Sequence, residues 1–150
     1  MPNNNLILKT AVAMLCTLVS LTSCQADNDK PIAYSELPET AQTLIQTYFQ
    51  GKTIALTTME GGVVSKSYDV VFASGEKLEF DSKGNWTEIS CKGSAVPTDL
   101  IPEAILQYVE RTYPGQAIVS IEKDRSETEV ELANRTEITF NKKYQVIDID

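Results

Sequence analysis

Apolar positions along this chain alternate between two spacings, and the alternation is written twice. Ala41, Leu44, Ile45, Tyr48 and Phe49 follow the i, i+3, i+4, i+7, i+8 stripe of an amphipathic helix. Leu37-Pro38-Glu39 opens that helix. Proline is tolerated in the first turn, where its missing N–H has no intrahelical partner, and Glu39 complements the positive end of the helix dipole. Gly51 supplies the stop. Thr53 to Met59 is rich in β-favouring residues, and Glu60-Gly61-Gly62 reads as a turn. Tyr68, Val70 and Phe72 then alternate with polar neighbours, as do Leu78 and Phe80, with Ala73-Ser74-Gly75 between them. Asp81-Ser82-Lys83-Gly84-Asn85 is another tight turn, and Trp86 to Ser90 a fourth strand.

The pattern returns. Ile101-Pro102-Glu103 opens a second helix 64 residues after the first, carrying Ile105, Tyr108, Val109 and Tyr113 on one face and ending at Pro114-Gly115. Tyr68 to Phe80 matches Thr128 to Phe140 at an offset of 60, which one four-residue deletion near Gly61-Gly62 explains. Strands are predicted at about 117–123, 127–133, 136–141 and 144–149. A repeat of this length implies two copies of one supersecondary unit. The expected fold is therefore α+β, with two tandem units. Each is one helix followed by a four-stranded antiparallel meander, and the helices pack on one face of the sheet. The expected divisions are 1–23, a tether at 24–35, a first unit at 36–91 and a second at 92–150.

Side chains two apart in a strand share a face. Tyr68, Val70, Phe72, Leu78, Phe80, Trp86, Val130, Leu132, Ile138, Phe140 and Val146 put the even-numbered positions against the helices as core. The odd-numbered face carries Asp69, Val71, Lys77, Glu79 and Thr87 in the first unit and Glu129, Glu131 and Glu137 in the second. An antiparallel sheet can leave one face wet. That face is either simply solvated or a docking surface for a basic partner. Asp69, Lys77, Glu79, Glu129, Glu131 and Glu137 are its candidate binding residues.

Lys9 precedes the apolar run Thr10 to Leu21, which is too short for a comfortable membrane span and suits a secretory signal. It ends in Leu21-Thr22-Ser23-Cys24, which looks like a bacterial lipobox, with Cys24 as the lipidated first residue of the mature chain. Asp27 and Asp29 come next, either as part of a solvated linker or as a surface-export signal. The expected address is the bacterial cell envelope: an outer-membrane lipoprotein facing the periplasm or the cell surface, touching the membrane through its anchor alone. Cys16 would leave with the signal, so Cys91 remains as a free thiol, expected as a buried small apolar residue or else in an intermolecular disulfide.

Charge and composition then narrow the chemistry. The net charge is −8 over 150 residues. With Lys9 the one charged residue in 1–23, a chain starting at Cys24 carries 12 basic and 21 acidic side chains, or −9. Such a surface repels phosphate backbones, so nucleic acid is not expected as a partner. There is no histidine. Ser-His-Asp and Cys-His catalysis and histidine-based zinc sites are excluded. Paired carboxylates, Glu79 with Asp81 or Asp148 with Asp150, lack the cleft that would raise one pKa for glycoside chemistry. Asp81 to Asn85 lacks EF-hand calcium spacing. No catalytic residue, metal site or cofactor is expected.

The motifs Leu37-Pro38-Glu39, Phe49-Gln50-Gly51, Tyr68-Asp69-Val70, Leu78-Glu79-Phe80-Asp81 and Gly84-Asn85-Trp86 resemble the PepSY-like, beta-lactamase-inhibitor-like family of bacterial lipoproteins. The second copy keeps Ile101-Pro102-Glu103, Tyr113-Pro114-Gly115, Val130-Glu131-Leu132 and Ile138-Thr139-Phe140, and departs at Asn141, Tyr144 and Val146. The resemblance covers residues 36–150 and implies a sheet that grips a protein partner rather than a reaction. The expected function is a non-catalytic, lipid-anchored envelope protein that binds a protein or peptide, with enzyme inhibition as one form of it. A structural or assembly role through sheet-edge pairing is the alternative.

Overall fold

The computed structural model describes residues 29–61 and 66–150. The expected signal segment at 1–23, Cys24 and Asp27 lie outside the described residues, as does Gly62 of the expected turn.

Helix α1 spans Glu39–Tyr48 and helix α2 spans Glu103–Thr112. Each comes after a proline in extended conformation, Pro38 and Pro102, and carries a glutamate in its first turn. Both starts are therefore set by local chemistry. Ala41 and Ile45 of α1 and Ile105 and Val109 of α2 are buried, with Leu44, Tyr48 and Tyr108 packed partly against them.

The strands are β1 (Lys30–Pro31), β2 (Ile54–Gly61), β3 (Lys66–Phe72), β4 (Lys77–Phe80), β5 (Trp86–Ser90), β6 (Ile118–Lys123), β7 (Glu127–Leu132), β8 (Glu137–Asn141) and β9 (Val146–Ile149). They form one antiparallel sheet in simple sequence order, each strand pairing with the next. The junction of the two halves is itself a strand pair: Glu88, Ile89 and Ser90 of β5 oppose Glu122, Ile121 and Ser120 of β6.

The expected α+β arrangement of two tandem helix-plus-four-strand units is corrected by this topology. The molecule is a single nine-stranded sheet in which strand residues far outnumber helical ones among the described residues. The physical reason is the edge. Separate four-stranded units would each leave a row of unpaired backbone groups at β5 and β6, and pairing the two edges satisfies both. Within the expected tether segment, Lys30–Pro31 forms strand β1. Lys30 and Pro31 pair with Met59 and Thr58, and Ile32 N–H donates to the Thr57 carbonyl at 3.0 Å.

One core lies between the helices and a single face of the sheet. Val70, Phe72, Leu78, Phe80, Val130, Leu132, Ile138 and Phe140 are buried there, as the even-numbered alternation predicts. Phe49, just after α1, stacks on Phe72, with ring centroids 5.4 Å apart, and Tyr108 of α2 meets Phe140 edge-on at 5.5 Å. Such aromatic pairs add roughly 0.5–1.5 kcal/mol beyond the area they bury. Cys91 is buried in the same cluster.

Candidate functional site

The face of the sheet away from the helices is open, and register decides what it shows. In antiparallel pairs, directly opposed residues share a face. Asp69 of β3 opposes Glu79 of β4, Glu79 opposes Glu88 of β5, Glu88 opposes Glu122 of β6, and Glu122 opposes Glu129 of β7. Five carboxylates thus stand side by side across five strands. The same row continues through Thr139 to Asp148 of β9. The neighbouring row runs from Leu56 and Val71 through Lys77, Ser90 and Ser120 to Glu131 and Glu137.

The structure therefore brings Asp69, Glu79 and Glu129 into one row, and Lys77, Glu131 and Glu137 into the next. Simple odd-even parity misses two members. Thr87, expected on this face, is the extra residue where the β4–β5 register shifts, because Phe80 opposes Trp86 while Glu79 opposes Glu88. A similar shift in β6 between Ile118 and Ser120 brings Glu122 onto the open face. A one-residue bulge reverses the parity of every residue beyond it in the strand. No side-chain pattern within a single strand announced either bulge.

The electrostatics result from this crowding. The Glu88 carboxyl is pushed up to about 7, first by burial and then by the hydrogen bond and charge of Glu79, with Glu122 adding and Lys77 opposing. Asp69 is raised by burial and by the charge of Glu79. Glu129 is raised by burial and by Glu137, Glu122 and Asp150. Lys77 is the one basic side chain of the two rows. It pairs with Glu79 and lies 3.8 Å from Glu88. Burial works against its charge, but Glu79, Asp69 and Glu88 outweigh this and raise its pKa. Like charges directly opposed across a sheet are destabilising. The carboxylate row keeps several such pairs, with a single lysine in the row beside it.

The other acidic residues are occupied locally. Asp81 accepts hydrogen bonds from the Lys83 and Asn85 backbone and from the Asn85 side chain, so it staples its turn. Glu76 is buried and paired with Lys52 at 2.6 Å. Among the described residues no three His, Cys, Asp or Glu side chains converge to hold a metal ion. Also among them, no helix is long and apolar enough to cross a membrane. On the helix side a groove of about 740 Å³ runs between α1 and the β4–β5 turn, and Lys123 lies 3.4 Å from the ring centroid of Trp86 at its edge. Trp86, expected as core, is partly buried against it and lends its face to this lysine.

The sheet is continuous, helix-covered on one side and open on the other. The chain's relatives give the family. Residues 66–148 match the family described as beta-lactamase-inhibitor-like, PepSY-like. A solved structure from Bacteroides vulgatus, described as a periplasmic protein of the DUF2874 family, is 50% identical over 83% of this chain and 98% of its own, with a TM-score of 0.81. Another, from Bacteroides thetaiotaomicron, described as a calcium-regulated periplasmic protein, is 46% identical over 83% of this chain and 98% of its own, with a TM-score of 0.79. A third, from Bacteroides vulgatus and described as a periplasmic protein of unknown function, is 35% identical over 81% of this chain and 98% of its own, with a TM-score of 0.76. No curated protein matches the chain. The chain belongs to the PepSY-like family.

Proposed function

We propose that this protein is a non-catalytic, lipid-anchored protein of the bacterial envelope that binds a basic protein or peptide on the open face of its sheet. The observation that carries the reading is the carboxylate row Asp69, Glu79, Glu88, Glu122 and Glu129, with Lys77 of the neighbouring row as the one cation beside it. A row of facing like charges lowers the stability of the free protein and is relieved by a cationic partner. Leu56 and Val71 at the β2 end of the neighbouring row offer an apolar anchor beside it; Leu56 is exposed. The periplasmic relatives and the Leu21-Thr22-Ser23-Cys24 motif support the address. The family description supports an enzyme as the partner, held and inhibited. One relative is described as calcium-regulated, and calcium would compete with a basic partner for the same carboxylates.

The test is crosslinking capture from intact cells with the full chain, compared with Cys24→Ala and with the paired reversal Glu122→Lys, Glu129→Lys. The expected result is one dominant partner that depends on the anchor. Its binding falls about tenfold or more in the charge-reversed protein, and falls further with salt. Calcium is expected to weaken it more than sodium at equal ionic strength. Capture unchanged by both reversals removes the open face from the reading.

A further inference from the structure

Strand β9 is the second place where the molecule is unfinished. Four large apolar side chains are exposed among the described residues: Leu56, Tyr144, Ile147 and Ile149. Three of them belong to β9 or to the turn that leads into it. Ile147 and Ile149 are 51% and 46% exposed. The N–H and C=O of Asp150 both bond to Glu137 of β8. Backbone groups alternate in direction along a regular antiparallel strand, so those of Ile149, which lies between Asp150 and the register shift at Ile147, point outward from the sheet edge.

The molecule contains a template for what completes such an edge. In β5, Glu88 and Ile89 carry the same two characters as Asp148 and Ile149 in β9. Each pair occupies the same register against its preceding strand, Glu79 and Leu78 in one case and Thr139 and Ile138 in the other. β5 has a neighbour. β6 sets Ile121 against Ile89, and Ile89 is fully buried. Ile149 has no such neighbour and remains exposed.

We infer that β9 takes a tenth, antiparallel strand from a partner polypeptide, an extended segment in which basic residues alternate with aliphatic ones. The aliphatic positions cover Ile149 as Ile121 covers Ile89. The basic positions fall beside Asp148 and Asp150, where the carboxylate row ends, so the segment extends the open face with the opposite charge. A second copy of this chain fits poorly, because antiparallel β9 pairing would set Asp148 and Asp150 beside their own counterparts. The inference deepens the proposed function by naming how the basic partner enters, and it rests on that reading for the partner's charge.

The probe is a synthetic peptide of alternating lysine and valine, tested on the full chain by fluorescence anisotropy and by hydrogen exchange. A matched peptide is N-methylated at the amides that would bond to β9. The expected result is slowed exchange at Ile149, with binding weakened about tenfold or more by N-methylation and by Ile149→Pro. Proline there removes an outward N–H, so the β8 pairing is kept. N-methylation leaves the protein unaltered and guards against a folding defect. Three results overturn the inference. One is equal binding of both peptides with loss only in Glu122→Lys, Glu129→Lys, which leaves the open-face reading standing. Another is no binding of the alternating peptide. The last is a dimer in light scattering that Ile149→Pro abolishes, which assigns the edge to a second copy.

Discussion

At Glu88 the fold holds a carboxyl beside two others, Glu79 and Glu122, and raises its pKa from 4.5 to about 7, mainly by burial. A carboxyl raised in this way binds its proton more tightly in the folded state. Its contribution to stability is full below about 4.5 and is lost as pH rises through about 7. Glu88→Gln is therefore expected to stabilise the protein at pH 8, by on the order of 1 kcal/mol after allowance for solvent screening. The gain should vanish near pH 4. Urea unfolding at the two pH values checks this, and an equal effect at both would remove the charge as its cause. Cys91 shifts in the same direction. Burial, with the charge of Glu76, pushes its thiol up to about 11, so it stays protonated and unreactive at neutral pH. Its burial was legible in the sequence. The raised pKa of Glu88 was not, because the neighbours that help raise it come from other strands.

The two halves solve one turn differently. Asp81 and Asn141 each accept hydrogen bonds from backbone N–H groups two and four residues on. Between those donors stands Gly84 at φ +82 in one turn and Tyr144 at φ +56 in the other. Gly84 is doubly constrained: a Cβ there would lie 2.7 Å from Pro38 Cβ and 2.9 Å from the Ala41 amide nitrogen. The turn thus rests against the start of α1. Gly84→Ala is expected to destabilise by about 2–3 kcal/mol, through the left-handed backbone and the clash together. Tyr144 is exposed, and Tyr144→Gly is expected to stabilise by up to about 1 kcal/mol through relief of the same backbone conformation. Thermal melts of the two variants should move in opposite directions. A Gly84→Ala protein as stable as the parent would mean that the turn does not dock on α1 as described.

Across the whole molecule the β5–β6 pair makes one sheet out of two halves. Ile89 and Ile121 face each other there and are both fully buried. Ile121→Ala is expected to lower stability by about 2–5 kcal/mol. Unfolding should remain a single transition, because each half loses its paired edge when the other opens. Two resolved transitions in calorimetry would show that the halves are energetically independent. The same continuity carries the carboxylate row from β3 to β7, so the proposed binding face depends on this junction as well.

The sequence by itself determined the elements and the buried side. Helix starts at Pro38-Glu39 and Pro102-Glu103, and the alternation that buries Val70, Phe72, Leu78 and Phe80 with Val130, Leu132, Ile138 and Phe140, are local patterns set by backbone periodicity and the hydrophobic effect. Asp69, Glu79, Glu129, Glu131 and Glu137 were legible on the open face for the same reason. Only the tertiary structure decided that β5 pairs with β6, that Lys30 and Pro31 add a strand to β2, and that bulges turn Glu88 and Glu122 onto the acidic row. Strand pairing is made by backbone groups that every residue but proline carries in full. Which edge meets which therefore leaves no mark on side-chain spacing, and it is settled when all edges compete for partners at once.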